Sequence, residues 1–312
     1  MLHLRVTCPV EVTDAVLDCL RRNPGVVHLA AMRGAAVDPP GDLIEADVAR
    51  EAADGVLVAL RALGVDHVGG ITLEPVDTVL SDAADAAVAA APGDPADALV
   101  WDELIMRTGD DSRLTFTFLA FLTLACLIAV VGVVTNSPVT VVGAMVVGPE
   151  FGPLAAIAVG LVLRRSDLIR RAALALGVGF PLAMIIAAVG ALLGEWAGLI
   201  PAGAIGAADQ VDFIYDVGAF SFIVALLAGA AGMLSLISAK SAALVGVFIS
   251  VTTVPAAGFA VVAATIGEWG TAAQSTLQLL VNLVGIVLAG ALVLLVRTRR
   301  DNRALRRPLT QG

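Results

Sequence analysis

Apolar and polar positions divide the chain into two parts. From residue 114 to 296 the sequence is almost continuously apolar, and six segments have the roughly 20 apolar residues that a membrane-spanning helix needs. They are residues 115–135, 138–163, 172–194, 217–238, 241–266 and 273–296. The pattern therefore predicts an α-helical polytopic bundle of about six transmembrane helices over residues 114–296.

Basic residues flank these segments on one side of the predicted bundle. Arginine or lysine occurs before the first segment, between the second and third, between the fourth and fifth, and after the sixth. The connections at residues 136–137, 195–216 and 267–272 contain neither. Because basic loops stay in the cytoplasm, we expect both termini there. The first residues have a strand pattern and no signal peptide, which predicts a multi-pass protein of the plasma (inner) membrane.

Residues 1–75 have the pattern of a small soluble domain. Strand and helix patterns follow one another in the order βαββαβ, which is typical of an α+β ferredoxin-like fold. The sequence Pro39-Pro40-Gly41 is expected to form the turn between the second and third strands. We therefore predict an N-terminal cytoplasmic domain that regulates the bundle or assembles subunits.

Residues 76–113 are predicted to join the two domains. Residues 76–98 are rich in Ala, Asp and Pro, which indicates a flexible linker. The residues that follow predict an amphipathic juxtamembrane helix with Trp101, Leu104 and Ile105 on one face. Beyond the last apolar segment, residues 297–312 form a basic cytoplasmic tail.

The second and fifth apolar segments are similar to each other. Each begins with a polar step and contains helix-breaking proline near its middle, Pro149 and Pro153 in one and Pro255 in the other. Segments three places apart cross the membrane in opposite directions, so this is the pattern of a 3+3 inverted repeat. Matching breaks indicate a central substrate or ion path, and the alternative is a pair of kinks that serve helix packing only.

Polar residues at membrane depth supply the candidate site. The carboxylate of Glu150 is costly in a membrane and is expected to face the bundle interior. It would bind a cation, carry a proton or accept hydrogen bonds, and the alternative is a structural cap for amides freed by the break. Hydrogen bonds between helices are the simpler role for Asn136 and Asn282. The candidate path residues are Glu150, Pro149, Pro153, Asn136, Thr252, Thr253, Pro255 and Asn282.

Composition and charge exclude several function classes. The chain is 58% hydrophobic with a net charge of −9, and it has no basic face for nucleic acid. The three cysteines and three histidines lack metal-ligand spacing, and the histidines are expected to be ordinary surface residues. No catalytic Ser/His/Asp set or nucleotide-binding loop is present in the sequence. We therefore expect no enzyme activity, no metal and no cofactor.

The stretch TNSPVTVVGAMVVGPEFGPLAAIAVGL resembles the signature of a bacterial membrane family, the uncharacterised hydrophobic domain proteins or domain of unknown function 389. AGAAGMLS, LVGVFISVTTVPAAG and QLLVNLVGIVLAG are similar to later family stretches, in the same order. The resemblance covers about residues 99–296 and implies a bacterial location, but it implies no activity. The chain departs from the family pattern at Glu150, where an apolar residue is usual, and at Pro255, where the family has a double proline.

Together these patterns predict a transporter or channel for a small ion or solute, with its path between the two proline-broken helices. Its expected partners are the lipid bilayer, the transported species and further copies of the chain, as a homo-oligomeric dimer or trimer. The alternative is a non-transporting signalling or scaffold protein whose soluble domain binds an effector.

Overall fold

The computed structural model describes residues 1–91, 99–199, 219–238 and 253–304. These residues separate into two compact units, the first built on Met1–Leu104 and the second on residues 105–236 and 253–304. Thr252 and most of the predicted fifth span lie outside the described residues.

The first unit contains a four-stranded sheet with helices against it. Its elements are β1 (Leu2–Cys8), α1 (Val10–Arg21), β2 (Val26–Val37), β3 (Pro40–Val48), α2 (Ala53–Ala62), α3 (Val65–Val68), β4 (Gly70–Pro75) and α4 (Asp82–Ala90). The strand order is β2-β3-β1-β4, and all neighbouring strands are antiparallel. Alternate residues of the central strands, such as Leu4, Val6 and Ile44, are fully buried in a core with Leu20 and Leu60.

The turn between β2 and β3 differs from the prediction. Strand β2 continues to Val37, and Pro40 and Gly41 already belong to β3, so the chain reverses at Asp38 and Pro39. A β-carbon on Gly41 would lie 2.2 Å from the carbonyl oxygen of Cys8. Glycine is therefore needed because β3 passes very close to the end of β1.

The predicted flexible linker contains the helix α4. The hydroxyl of Ser81 accepts a hydrogen bond from the N–H of Ala84 and caps the first turn. Alanine has the highest helix propensity, and Ala84 and Ala87 are buried. Capping and burial thus give regular structure to a segment whose composition alone indicated none.

The predicted juxtamembrane helix is present as α5, Trp101–Asp111. The helices that follow in the second unit are α6 (Phe116–Val134), α7 (Pro138–Val147), α8 (Phe151–Leu163), α9 (Ser166–Trp196), α10 (Ala219–Ile237), α11 (Val254–Thr265) and α12 (Trp269–Ala304).

Four of these helices are long and apolar enough to cross a membrane, namely α6, α9, α10 and α12. Helices α7 and α8 are bent by 54° at a short break, and they make a fifth span if the pair is counted as one. The remaining predicted span, the fifth, is described only from residue 253, as the 12-residue helix α11, which is shorter than a span. Large apolar side chains such as Phe121, Leu192 and Leu292 are exposed on the long helices, as expected of surfaces that face lipid.

Helix α11 lies in the core of the second unit. Every residue from Val254 to Ala263 is buried, and the helix packs against α6, α7, α9 and α12. A β-carbon on Gly258 would lie 2.6 Å from the β-carbon of Ala129 in α6. Small residues therefore let the backbones of α6 and α11 approach closely, as is common between membrane helices.

Candidate functional site

The break between α7 and α8 consists of Gly148, Pro149 and Glu150. Pro149 has no N–H to donate, and Pro153 stands in the first turn of α8, where a helix tolerates proline. The predicted break in the second span is therefore present. At the matching position of the predicted repeat, α11 begins at Val254 with Pro255 in its first turn, but the preceding half of that segment lies outside the described residues.

A buried hydrogen bond connects the starts of α8 and α11. The Oγ1 hydroxyl of Thr253 donates to Oε1 of Glu150 over 2.6 Å. Glu150 is 1% exposed and Thr253 is 0% exposed, although they are 103 residues apart in the chain. Two of the predicted site residues are thus brought together in the bundle interior.

The same two residues stand at the N-cap positions of their helices. Glu150 precedes the first turn of α8 and Thr253 precedes that of α11, and neither side chain makes a capping hydrogen bond to its own helix. This geometry does not support the alternative in which the Glu150 side chain caps the start of α8. Its carboxylate instead lies near two helix starts, whose N–H groups carry partial positive charge.

A second polar feature lies on α12. Ser275, Gln278 and Asn282 are spaced i, i+3, i+7, which places them on one face of the helix, and all three are buried. Nε2 of Gln278 donates to Oδ1 of Asn282 over 3.1 Å and to the hydroxyl of Ser221 in α10. We call the three α12 residues the polar file.

Two atoms of the polar file have no protein partner among the described residues. They are Oγ of Ser275 and Oε1 of Gln278, and both are inaccessible from outside the bundle. A buried polar group without a hydrogen bond is strongly unfavourable, most of all in a membrane interior. Such atoms are normally paired with water, with a bound species or with another part of the chain.

Asn282, the last residue of the polar file, lies at about the same depth in the bundle as Thr253. Helices α11 and α12 pack together and are joined by a turn at residues 266–268. Thr253 is about 18 Å before that turn and Asn282 about 20 Å after the start of α12, at about 1.5 Å per residue. In a helical hairpin these positions lie opposite each other.

The contact between α8 and α12 indicates that Glu150 lies at this depth as well. A β-carbon on Gly290 of α12 would lie 3.3 Å from the β-carbon of Ala158 in α8. The two helices are predicted to cross the membrane in the same direction. Glu150 and Asn282 are each eight residues before this contact, so the polar file ends at the level of the carboxylate.

Other predicted site residues have different surroundings. Asn136 is half-buried in the turn between α6 and α7, where it adopts a left-handed conformation with φ of 47°. Pro149, Pro153 and Pro255 shape the helix ends, while Thr252 lies outside the described residues. Gln278 and Ser275 were missed from the sequence, although their helical spacing with Asn282 was a visible signal.

Two of the three histidines, His3 and His28, make side-chain hydrogen bonds in the first unit. Nδ1 of His3 and Nδ1 of His28 lie 2.9 and 2.7 Å from the carboxylate oxygens of Asp47, and Nε2 of His28 lies 2.9 Å from the hydroxyl of Ser81. Burial raises the pKa of Asp47, but the hydrogen bonds of the two histidines outweigh it, so that the pKa is lowered. Among the described residues, no group of three or more His, Cys, Asp or Glu side chains has the arrangement of a metal site.

Comparisons with known proteins agree with the resemblance noted in the sequence. Residues 145–288 match the family model of a domain of unknown function (DUF389). This range runs from α7 into α12 and includes Glu150, Thr253 and the polar file. No curated protein and no solved structure matches the chain. Through residues 145–288, a little under half of its length, the chain is similar to the family known as domain of unknown function 389.

Proposed function

We propose that this protein is an integral membrane transporter or channel for a small ion or solute. The observation that carries the proposal is the buried hydrogen bond between Glu150 and Thr253, at the meeting point of two helix starts. Ionisable residues inside a membrane bundle are costly and typically mark ion or substrate paths. Broken helices whose ends meet within the bundle are typical of the binding sites of secondary transporters.

The electrostatics of this arrangement favour a cation as the transported species. An ionised carboxylate is stabilised by the partial positive charge of nearby helix starts and by the hydroxyl of Thr253. Such a carboxylate attracts a cation or a proton that reaches it through a wet path. The structure offers no buried basic residue beside Glu150 among the residues described in the bundle.

The polar file supports a path outward from Glu150. It starts near the predicted outer face, and Ser275 and Asn282 are about 10 Å apart along the helix axis. The two atoms that have no partner in the described part of the chain, on Ser275 and Gln278, are suited to hold water or a dehydrated cation. We infer that the path runs along this face of α12 to the carboxylate.

The proposal extends to the number of spans, the location of the termini and the role of the first unit. We infer six spans in a 3+3 inverted repeat, with both termini in the cytoplasm of a bacterial cell. The strand order β2-β3-β1-β4 with two main helices supports a ferredoxin-like fold for the first unit. We assign that unit a role in regulation or in homo-oligomer assembly, a role that fold alone does not establish.

A signalling or scaffold protein is the second candidate. The cluster of His3, His28, Asp47 and Ser81 favours it, because hydrogen-bonded histidines and a carboxylate at a sheet surface are suited to bind an effector. In that case the bundle would serve assembly and its interior would be dry.

Water access to the polar file distinguishes the two candidates. We would place single cysteines at Ser275, Gln278 and Leu279, in a background without native cysteines, and measure labelling by a charged, impermeant thiol reagent. Leu279 is the control, since it is buried in the apolar core of the bundle. The transport proposal predicts that the first two react roughly tenfold faster or more, because only the solvated thiolate is reactive. Equally slow labelling of all three would favour the scaffold.

A further inference from the structure

A cleft of about 760 Å³ lies between α5 and the first turns of α9. This volume is within the range of small-molecule sites, roughly 300–1,000 Å³. Its lining combines three arginines (Arg113, Arg165 and Arg171) and two aspartates (Asp110 and Asp167) with apolar side chains such as Leu174. A β-carbon on Gly109 of α5 would lie 3.6 Å from the side chain of Leu168, so the two helices are in contact at this point.

Two of the three arginines are available to a ligand. Arg165 makes a two-point ion pair with Asp167, with distances of 3.2 and 2.8 Å. Arg113 and Arg171 have no carboxylate partner among the described residues, and both face the cleft. The cleft therefore presents two guanidinium groups of the kind that bind phosphate with two parallel hydrogen bonds.

The apolar part of the lining continues along α9 into the predicted membrane. Arg171, Leu174 and Val178 are spaced i, i+3, i+7 and so form one stripe of the helix. Leu174 is 52% exposed and Val178 is 44% exposed. The stripe descends about 10 Å from the guanidinium, along the part of α9 that crosses the membrane.

We propose that this cleft binds one anionic phospholipid. The phosphate contacts Arg113 and Arg171, and an acyl chain lies along Leu174 and Val178. Both arginines lie beside the starts of membrane-spanning helices, where lipid phosphates are found, and basic pockets between such helices recognise anionic headgroups. A zwitterionic lipid carries a positive group that the two guanidinium groups repel. The three arginines outnumber the two aspartates of the lining, so the cleft discriminates between the two kinds of lipid by its net positive charge.

Native mass spectrometry of the purified full chain tests the proposal. The protein is mixed with equal amounts of phosphatidylglycerol and phosphatidylcholine that carry identical acyl chains, and the bound lipids are counted. We expect one phosphatidylglycerol in preference. Arg113→Gln and Arg171→Gln each weaken its binding about fivefold, which corresponds to about 1 kcal/mol for one basic residue near an anionic headgroup. Arg171→Lys keeps the charge and most of the binding.

Arg170→Gln is the matched control, because Arg170 is an exposed neighbour on the same helix that does not line the cleft. It is expected to bind phosphatidylglycerol as the wild type does. Equal retention of both lipids by the wild type, or an equal loss in Arg170→Gln and Arg171→Gln, would overturn the proposal. Displacement of the bound lipid by inorganic phosphate alone would also overturn it, since phosphate has no chain to contact Leu174 and Val178.

Discussion

Replacing Thr253 with valine tests the contact between α8 and α11. The change keeps the shape of the side chain but removes the hydroxyl that donates to Glu150 over 2.6 Å. Both residues are almost fully buried, so water does not easily replace the lost donor. The variant should therefore be less stable than the wild type.

The size of the loss depends on the charge of Glu150. Hydrogen bonds between uncharged groups of membrane helices contribute about 0.6 kcal/mol on average, with a maximum near 1.7. Hydrogen bonds to a charged group contribute about 1.5–3 kcal/mol. If Glu150 is ionised, as a cation path requires, we expect Thr253→Val to lower the free energy of unfolding by about 2 kcal/mol. In a Glu150→Gln background the same change should cost only about 0.6 kcal/mol.

Reversible unfolding in mixed detergent micelles, followed by tryptophan fluorescence, measures both values. Thr265→Val is the matched control, because Thr265 is in the same helix but donates to the backbone carbonyl of Val262. That change should cost less than about 0.5 kcal/mol. A loss below about 0.5 kcal/mol for Thr253→Val would refute the contact. Equal losses in the wild-type and Glu150→Gln backgrounds would refute an ionised carboxylate.

Three further changes test other parts of the structure. Gly258→Ala should lower the free energy of unfolding by about 1–3 kcal/mol, since the new methyl group would clash with α6. The control is Gly177→Ala, whose β-carbon would have no neighbour within 4 Å, and it should not lower the free energy of unfolding in the same assay. Ser137→Ala removes the hydroxyl that caps α7 and should cost about 1 kcal/mol there too. The pKa of Asp42 is lowered, mainly by hydrogen bonds from the N–H of Gly34 and the hydroxyl of Thr13. The contribution of this carboxylate to folding stability is therefore complete above the ordinary pKa of 3.8 and is lost as the pH falls below it. Asp42→Asn should therefore speed hydrogen exchange in β3 of the full chain at neutral pH, and this difference should vanish in acid; exchange like that of the wild type at neutral pH would count against the argument.

The long apolar helices could be predicted from the sequence because a span requires a minimum apolar length whatever its neighbours are. Helices α6, α9, α10 and α12 fall on four of the predicted segments, and the proline-rich break falls between α7 and α8. The lengths of α9 and α12 were underestimated. Both helices continue past the apolar limit into charged residues, such as Asp167 near the start of α9, where a negative charge favours the helix.

The partners within the site could not be predicted in the same way. Glu150 was recognisable as a lone carboxylate in an apolar segment, but its pairing with Thr253 joins residues 103 positions apart and depends on how the helices pack. The partner of Gln278 in α10, Ser221, has no local signal either. Helix α4 was missed because composition indicated a linker, whereas the Ser81 cap and the burial of Ala84 decided the outcome.

Ion flux into liposomes tests the central claim most directly. We would compare the wild type with Glu150→Gln, which removes the charge and keeps the size, and with Glu195→Gln, which changes an exposed glutamate near the end of α9. The account predicts that the wild type and Glu195→Gln carry small cations, and that Glu150→Gln carries them about tenfold more slowly or worse, a loss of about 1.4 kcal/mol or more. Absence of flux in the wild type across cations, anions and small solutes, or equal flux in Glu150→Gln and the wild type, would contradict it.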